Sequence, residues 1–418
     1  MSPPFYDRWC AEALKEKLAR PFVHVIFGAR QTGKSTLLNA LLPPDALRIN
    51  LADPEERSRL LARPGEFLQI CRALPPDDKG RFVFVDEVQA VPAIFDAVQS
   101  LYDSDPERWR FVLCGSSARK LRRTGANLLP GRSFLHRLFP LVLTEHPSPN
   151  QSPPSVPSLL PMTWTGNPCS PNPFPPWDME ERLAYGSLPG VVAGAESDRG
   201  EILKAYAVIH LEEEIRREAL IRDWGAFVRF LPLAALAAGQ IMNYAGIAQE
   251  TGISQPTVKS YYQLLEDMFI GLRIPAFSHS PRKNVLSTPK FLFADLGVRH
   301  AAAGLLPARD VVRANPGPLF EQWVGVELWK RIQYLGDGSL SYLRTRQGAE
   351  VDYIIERQGR LIPVEVKWTV HPDRHDARQL LTFLKEHPEQ TGKGYIICRC
   401  PRPMEIHAQV IALPWQYL

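Results

Sequence analysis

The apolar run FVHVIF at residues 22–27, followed at once by GARQTGKS at residues 28–35, constrains this chain more than any other feature. A short apolar run that breaks at glycine and resumes at helical spacing through Leu37, Leu38, Leu41 and Leu42 reads as strand, loop and helix. The loop fits G-x-x-x-x-G-K-[ST], in which Gly28 and Gly33 let backbone N–H groups turn inward around phosphate oxygens without a Cβ clash. Gly28, Ala29, Arg30, Gln31, Thr32, Gly33, Lys34, Ser35 and Thr36 are therefore the expected ATP-binding residues. Lys34 is expected on the β and γ phosphates and the Ser35 hydroxyl on Mg²⁺. Thr36 stands beside the α phosphate, and the helix points its positive end at the anion.

A second motif supports the first. FVFVDE (residues 82–87) is an apolar strand ending in two acids, so Asp86 is the expected Mg²⁺ residue and Glu87 the group that orients the attacking water. Phe111 to Cys114 reads as the next buried strand, and CGSSA (residues 114–118) puts Ser116 at its end, as a γ-phosphate or water contact or as a plain serine turn. Arg132 in PGR, with Arg137 five residues on, either supplies a cation to a neighbouring subunit's transition state or is a surface arginine. Parallel strands carrying polar residues at their carboxyl ends predict an open α/β sheet.

At 418 residues the chain is long enough for two to four folding units, and 45% hydrophobic with 22% charged residues is the balance of a globular protein. The formal charge of +4 is compatible with nucleic acid without pointing to it. Six cysteines without a C-x-x-C pair suggest reduced thiols rather than zinc or disulfides. With neither a leader pattern nor a membrane-length apolar stretch, the expectation is a cytoplasmic protein without membrane association.

Eleven of residues 146–177 are proline, which excludes regular helix or central strand and predicts an exposed linker or insertion from about Glu145 to Trp177. Helical patterns return at Met179 to Ala184 and Arg199 to Ile221, around the turn YGSLPGV (residues 185–191). Between Phe227 and Pro275 come three helical segments, the last opening at Ser254. Apolar runs Phe269 to Ile274 and Lys290 to Phe293 then flank a basic loop, the outline of a winged helix. Gln255, Thr257, Lys259 and Ser260 fall on the exposed side of its second helix, with Arg282 and Lys283 in the wing. They either meet DNA or decorate a packing module. The last part reads as a helix (Leu319 to Ile332), strands near Leu340 to Arg344, Val351 to Ile355 and Leu361 to Val366, a helix Arg374 to Lys385 and a strand Gly394 to Cys398.

Together GARQTGKSTLL, INLADPEER, FVFVDEVQ, LCGSSA, PGR before LFPL, YGSLPGV, KFLFADLGV and GAEVDYII resemble, over nearly the whole chain, a prokaryotic AAA+ ATPase family. That family couples a P-loop domain to a winged helix and a C-terminal domain of unknown function. The resemblance implies a parallel-sheet AAA+ core at 1–145, a proline-rich linker or insertion at 146–178, a helical lid at 179–225, a winged helix at 226–300 and a nuclease-like α/β domain at 301–418. It also implies Lys34, Ser35, Asp86 and Glu87 as phosphate, metal and water residues and Ser116 as sensor. The family's glycine pair before the lid proline is here Gly186 and Ser187.

In the last domain, strand alternation places Glu365 and Lys367 on one side, where they can face Asp352. The arrangement resembles a PD-(D/E)xK nuclease core, with Val351 in place of the proline. It implies Asp352 and Glu365 as Mg²⁺ residues and Lys367 as the group that positions water or stabilises developing charge. Glu321 on the preceding helix is the candidate fourth acid, with Glu327 competing, and Arg344, Arg346 and Lys385 line a path for nucleic acid or are simply solvated. A salt-bridged fold that cuts nothing fits the same residues.

Three functions are compatible with these features. The leading one is an ATP-hydrolysing, homo-oligomeric, DNA-associated protein. Next comes a nucleotide-dependent switch that binds a protein partner through an inactive C-terminal domain. A small-molecule kinase uses the same loop, but Asp86 with Glu87 favours water as the phosphoryl acceptor.

Overall fold

The computed structural model describes residues 5–116, 131–147, 173–207, 215–216, 221, 223–277, 287–345 and 348–418. The first part alternates helices and strands: α1 Ala11–Leu18, β1 Val23–Phe27, α2 Lys34–Leu41, β2 Leu47–Asn50, α3 Pro54–Ala62 and α4 Gly65–Ala73. β3 Arg81–Asp86, α5 Ala93–Ser104, β4 Trp109–Gly115 and β5 Ser133–Arg137 complete it. The strands form one parallel sheet in the order β2-β3-β4-β1-β5.

Both faces of that sheet are covered, which is why its central strands are continuous apolar runs. Val23, Val25 and Phe27 of β1 pack with Val83, Val85, Phe111 and Leu113 against Phe67 of α4 and Phe95, Val98 and Leu101 of α5. Ile26, Phe84, Val112 and Cys114, one residue out of phase, meet Leu14 and Leu18 of α1 and Leu37 and Leu38 of α2. Each such side chain taken fully out of water contributes about 1.5–3 kcal/mol. Because the strands run the same way, Phe27, Asp86, Gly115 and Arg137 all end on one edge of the sheet.

The middle of the chain is helical: α6 Met179–Tyr185, α7 Pro189–Ala193, α8 Glu196–Ala205, α9 Trp224–Leu236, α10 Tyr244–Thr251 and α11 Gln255–Asp267. A two-stranded antiparallel pair follows, β6 Gly271–Ile274 with β7 Lys290–Phe293, then α12 Leu296–Ala302 and α13 Arg309–Ala314. Asp178 starts α6 with a capping box through Glu181, and Ser254 accepts from Thr257 N at 3.3 Å to start α11. Gly186 has φ 70, and a Cβ there would stand 2.1 Å from Asp295 Oδ1, the carboxylate that accepts the N–H of Ser187.

The long helix α14 Pro316–Leu335 leads into β8 Ser339–Arg344, β9 Glu350–Arg357, β10 Arg360–Val366, α15 Arg378–Glu386, β11 Gly394–Cys398, β12 Met404–His407 and β13 Val410–Pro414. These strands make a mixed sheet in the order β12-β13-β11-β10-β9-β8. α14 covers one face, with Val324, Leu328 and Ile332 in the same apolar cluster as Tyr342, Tyr353, Ile355 and Val364. α15 covers the other face through Leu380, Phe383 and Leu384 on Val351, Ile354 and Ile396. The cluster under α14 runs on without a break into Phe291 of β7, Tyr262 of α11, Phe230 of α9 and Leu183 of α6.

The expectation of an exposed proline-rich segment does not hold at its two edges. Glu145 is fully buried against Arg8, and Trp177 packs on the core with the Arg199 guanidinium over its ring. Residues 148–172 lie outside the described residues, as do Arg282, Lys283 and Arg346.

Candidate functional site

The phosphate loop is built on one close approach and two left-handed residues. A Cβ on Gly28 would stand 2.1 Å from the Leu138 carbonyl oxygen, which itself follows β5, so only glycine lets the loop leave β1 at this point. Gly33 has φ 90 and Gln31 φ 61, left-handed conformations that turn the chain into α2. Thr32, fully buried, donates its hydroxyl to Ala29 O at 2.9 Å. Lys34 is folded inward, its ammonium donating to Gly28 O at 2.8 Å and Ala29 O at 2.9 Å. Arg30 and Ser35 are half-buried at the loop rim, and Gln31 and Thr36 are exposed.

Asp86 and Glu87 end β3 on the same edge. Asp86 Oδ1 accepts the Glu87 N–H at 3.0 Å, and Glu87 takes φ 54 before a short turn. The buried side-chain amide of Gln89 donates both to Glu87 Oε2 and, at 3.0 Å, to Ser116 Oγ. The candidate water-orienting acid and the candidate sensor are therefore joined through a residue that the sequence reading quoted within FVFVDEVQ but gave no role. Cys114 lies beneath them, and burial and then the Asp86 carboxylate hold its thiol well above the ordinary range, opposed by Lys34.

Arg132 does not join this constellation within one chain. It precedes β5, its carbonyl takes the Val23 N–H at the start of β1, and its Nε lies 2.6 Å from Asp103 Oδ1, at the sheet edge opposite the loop. Arg137 ends on the loop edge and donates to Gln333 Oε1 of α14 at 3.0 Å.

Residues far from the loop in sequence complete its surroundings. Arg8 is buried, donates to Thr32 O and to Phe139 O at 2.6 Å each, and lies 3.0 Å from Glu145 Oε2. Tyr334 of α14 takes the Phe139 N–H on its hydroxyl at 3.1 Å, 3.4 Å from Arg8 Nη2. Tyr206, just past α8, donates to Arg30 O at 3.4 Å. A cavity of about 220 Å³ beside the loop is lined by Phe5, Tyr6, Gln31, Gly33, Thr36, Pro189 and Gly190, an apolar slot next to a phosphate-type loop. No local signal marks Arg8 or Tyr6, because both act across large sequence separations.

The C-terminal carboxylates also converge. Glu321 of α14 and Glu350 and Asp352 of β9 offer oxygens within 4.8 Å of one another. Asp352 Oδ2 accepts the Val366 N–H at 2.8 Å, and Glu365 Oε1 accepts from Lys367 Nζ at 2.7 Å, so the expected trio of Asp352, Glu365 and Lys367 lies together. Burial, then Glu365 and Glu321, pushes Asp352 well above the carboxylate range, and burial raises Glu365 against the pull of Lys367. Glu327, the competitor of Glu321, points elsewhere. It accepts the Leu143 N–H at 2.8 Å and pairs with Arg331 at 2.6 Å. Two members of the cluster were not assigned from sequence. Glu350 sits in the quoted GAEVDYII, and Lys290 in KFLFADLGV places its ammonium 2.9 Å from Glu321 and 3.0 Å from Glu350.

In the helical part, Val258 is fully buried while Gln255, Lys259 and Ser260 are exposed and Thr257 is partly so, a polar face on α11 above an apolar one. Lys259 Nζ lies 5.2 Å from the Tyr244 ring centroid. Arg344 lies 3.7 Å from Glu350, and Lys385 is exposed on α15.

A parallel sheet in the order 2-3-4-1-5, a glycine-rich loop after β1 and an acid pair on the same edge are the features of a P-loop nucleotide-binding domain. In agreement, residues 20–146 match the family model described as AAA domain. Residues 176–309 and 316–418 match two models described as domains of unknown function, DUF8612 and DUF4143. Uncharacterized proteins of Mycobacterium tuberculosis (Rv2008c) and Mycobacterium bovis (Mb2031c) are each 25% identical over 377 residues, covering 87% of this chain and 74% of theirs. The crystal structure of protein VC1899 from Vibrio cholerae aligns over 90% of this chain and 89% of its own at 13% identity, with a TM-score of 0.18 that carries no structural argument. Among the described residues no helix is long and apolar enough to cross a membrane.

Proposed function

We propose that this protein binds and hydrolyses ATP with Mg²⁺, and that nucleotide-driven changes at the loop reach its helical and C-terminal parts, which associate with DNA. The observation that carries the reading is the meeting of Lys34, Asp86, Glu87 and Ser116 on one sheet edge, with Gln89 tying Glu87 to Ser116. The donor set fits Mg²⁺-ATP. Lys34 has an ammonium on two loop carbonyls that it can exchange for phosphate oxygens, and α2 opens directly at the loop.

Ser35 and Asp86 are the residues to hold Mg²⁺, which when bound neutralises developing charge on the phosphates. Lys34 binds the β and γ phosphates and Gly28 to Thr36 wrap the rest, while Phe5, Tyr6 and Pro189 offer an apolar slot suited to the base. Glu87 orients the water and accepts its proton as Gln89 releases the carboxylate. Arg132, remote from its own loop, is suited to complete the site of a neighbouring copy, which makes a homo-oligomer part of the proposal. The polar face of α11 in a winged helix is the proposed DNA contact, chiefly to phosphates.

A second reading concerns the C-terminal sheet, where the clustering of Glu321, Glu350 and Asp352, with Glu365 and Lys367 beside Asp352, supports a divalent-metal site of nuclease type. ATPase rates with and without single- and double-stranded DNA, measured on wild type, Lys34→Ala, Glu87→Gln and Asp352→Ala, test both. Hydrolysis unaffected by Lys34→Ala sinks the first reading, and DNA left intact with Mg²⁺ or Mn²⁺ and ATP leaves the C-terminal part as a nucleotide-dependent partner-binding module.

A further inference from the structure

Lys290 is the first residue of β7, and the polypeptide fixes its position from the helical side. Ile241 forms a bridge with it, Gly239 N donates to Phe291 O at 2.8 Å, and Met242 N donates to Pro289 O at 3.0 Å. Its side chain nevertheless ends among carboxylates of the C-terminal part, 2.9 Å from Glu321 Oε1 and 3.0 Å from Glu350 Oε1, and is 3% exposed. The Tyr342 ring closes over the ammonium at 5.0 Å. Burial works against its charge, yet Glu321, Glu350 and Asp352 hold it above the ordinary lysine range.

A group of acids alone is commonplace, but here two further observations point to a ligand. Glu365 is 5% exposed, is the carboxylate felt most strongly by Asp352, and keeps Oε2 buried with no hydrogen-bond partner among the described residues. A cleft of about 710 Å³, bordered by Gly239, Lys290, Glu321, Gln322 and Arg344, reaches the cluster from outside. Glu321, Glu350 and Asp352 bring oxygens within 4.8 Å of one another, with Glu365 beside Asp352, more oxygen than one ammonium can use, and hard oxygen ligands at this spacing suit Mg²⁺ or Mn²⁺.

We propose that Lys290 is an internal cation that holds a divalent-metal site shut, so that Mg²⁺ or Mn²⁺ enters the Glu321, Glu350, Asp352 and Glu365 cluster only as β7 withdraws the ammonium. The inference rests on the metal reading of this cluster given above. The Lys290 ammonium takes the Glu321 and Glu350 oxygens that a divalent ion would need, and the two charges repel one another, so these ligands hold one or the other. Since β7 is pinned to residues 239–242, any shift of the helical part against α14 moves the lock.

Mn²⁺ titration of the nucleotide-free full chain, followed by paramagnetic resonance of the free ion, tests this without any assay of cutting. Lys290→Gln is expected to bind one Mn²⁺ at least tenfold tighter than wild type, and the gain to vanish in Lys290→Gln combined with Asp352→Asn. Equal affinity of wild type and Lys290→Gln overturns the lock while leaving the metal site standing. Binding by neither overturns both. Should Lys290→Gln fail to fold, the wild type still decides. Acylation of amines read by mass spectrometry is expected to spare Lys290 without metal and to label it at high Mn²⁺, and protection that persists in metal-saturated protein overturns the proposal.

Discussion

The guanidinium of Arg8 donates to the carbonyl oxygen of Thr32 at 2.6 Å, fastening a segment that precedes the first helix to the phosphate loop. Its counter-charge, Glu145, is fully buried and also accepts the N–H groups of Trp9 and Val142. Removing one member of a buried ion pair strands the other in low dielectric, so Arg8→Ala is expected to lower stability by about 3–5 kcal/mol. Urea unfolding checks it. The double variant Arg8→Met, Glu145→Gln should lose less than Arg8→Ala alone, and an Arg8→Ala midpoint equal to wild type would rule the clamp out.

Gln89 bridges Glu87, the proposed water-orienting acid, and Ser116, the proposed sensor. Gln89 itself lies outside the loop of Gly28 to Thr36, so Gln89→Leu should leave ATP affinity within twofold. A misplacement of about 1 Å near the reacting centre lowers turnover by about 100-fold, and a loss of that order in kcat is expected. Nucleotide titration beside steady-state turnover separates the two effects. Loss of affinity with unchanged kcat would assign Gln89 to the loop instead.

Gly325 faces the C-terminal sheet where α14 passes Tyr353 of β9. A Cβ there would stand 2.2 Å from Tyr353 Oη, the hydroxyl that donates to Glu321 O at 3.0 Å. Gly325→Ala therefore pushes the helix off β9, with a cost of about 1–3 kcal/mol from overpacking. Tyr353→Phe in the same chain removes the clashing oxygen and should recover part of the loss in thermal unfolding. A Gly325→Ala protein as stable as wild type would mean the helix and sheet are free to separate.

What the sequence made legible was local. The run through β1, the loop and α2 declares itself by apolar pattern and glycine spacing, Asp86 and Glu87 follow an unbroken apolar strand, and Ser254 caps α11 within three residues. Alternation along β9 and β10 was enough to bring Asp352, Glu365 and Lys367 together. The edge strands were another matter. β2, β5 and β12 bury few of their side chains, so LRIN, SFLHR and MEIH lack the apolar run that marked the central strands. β13 was also not anticipated, although all five of its residues are buried. Arg8, Lys290 and Glu350 owe their roles to partners 24 to 137 residues away or on another sheet, and a single chain of letters does not carry that pairing.

The buried His300 links acidity to stability with a defined sign. Arg299 Nη1 donates to its Nδ1 at 3.0 Å, so Nδ1 is the acceptor and Nε2 carries the proton given to Leu183 O at 3.0 Å, leaving no place for a second proton. Burial first, and the Arg299 charge second, lower its pKa from 6.5 to about 4. In that interval the unfolded chain binds a proton that the folded one refuses. The contribution of this histidine is therefore complete above pH 6.5 and declines as pH falls toward 4, by about 1.4 kcal/mol per pH unit. Glu266, raised to about 7 by burial, works in the opposite direction, so the difference between two proteins is the quantity to read. The unfolding free energy of wild type minus that of His300→Gln should shrink by about 2 kcal/mol between pH 6.5 and pH 5. A difference that stays level across that range would show that imidazole protonation is not opposed by the fold at this position.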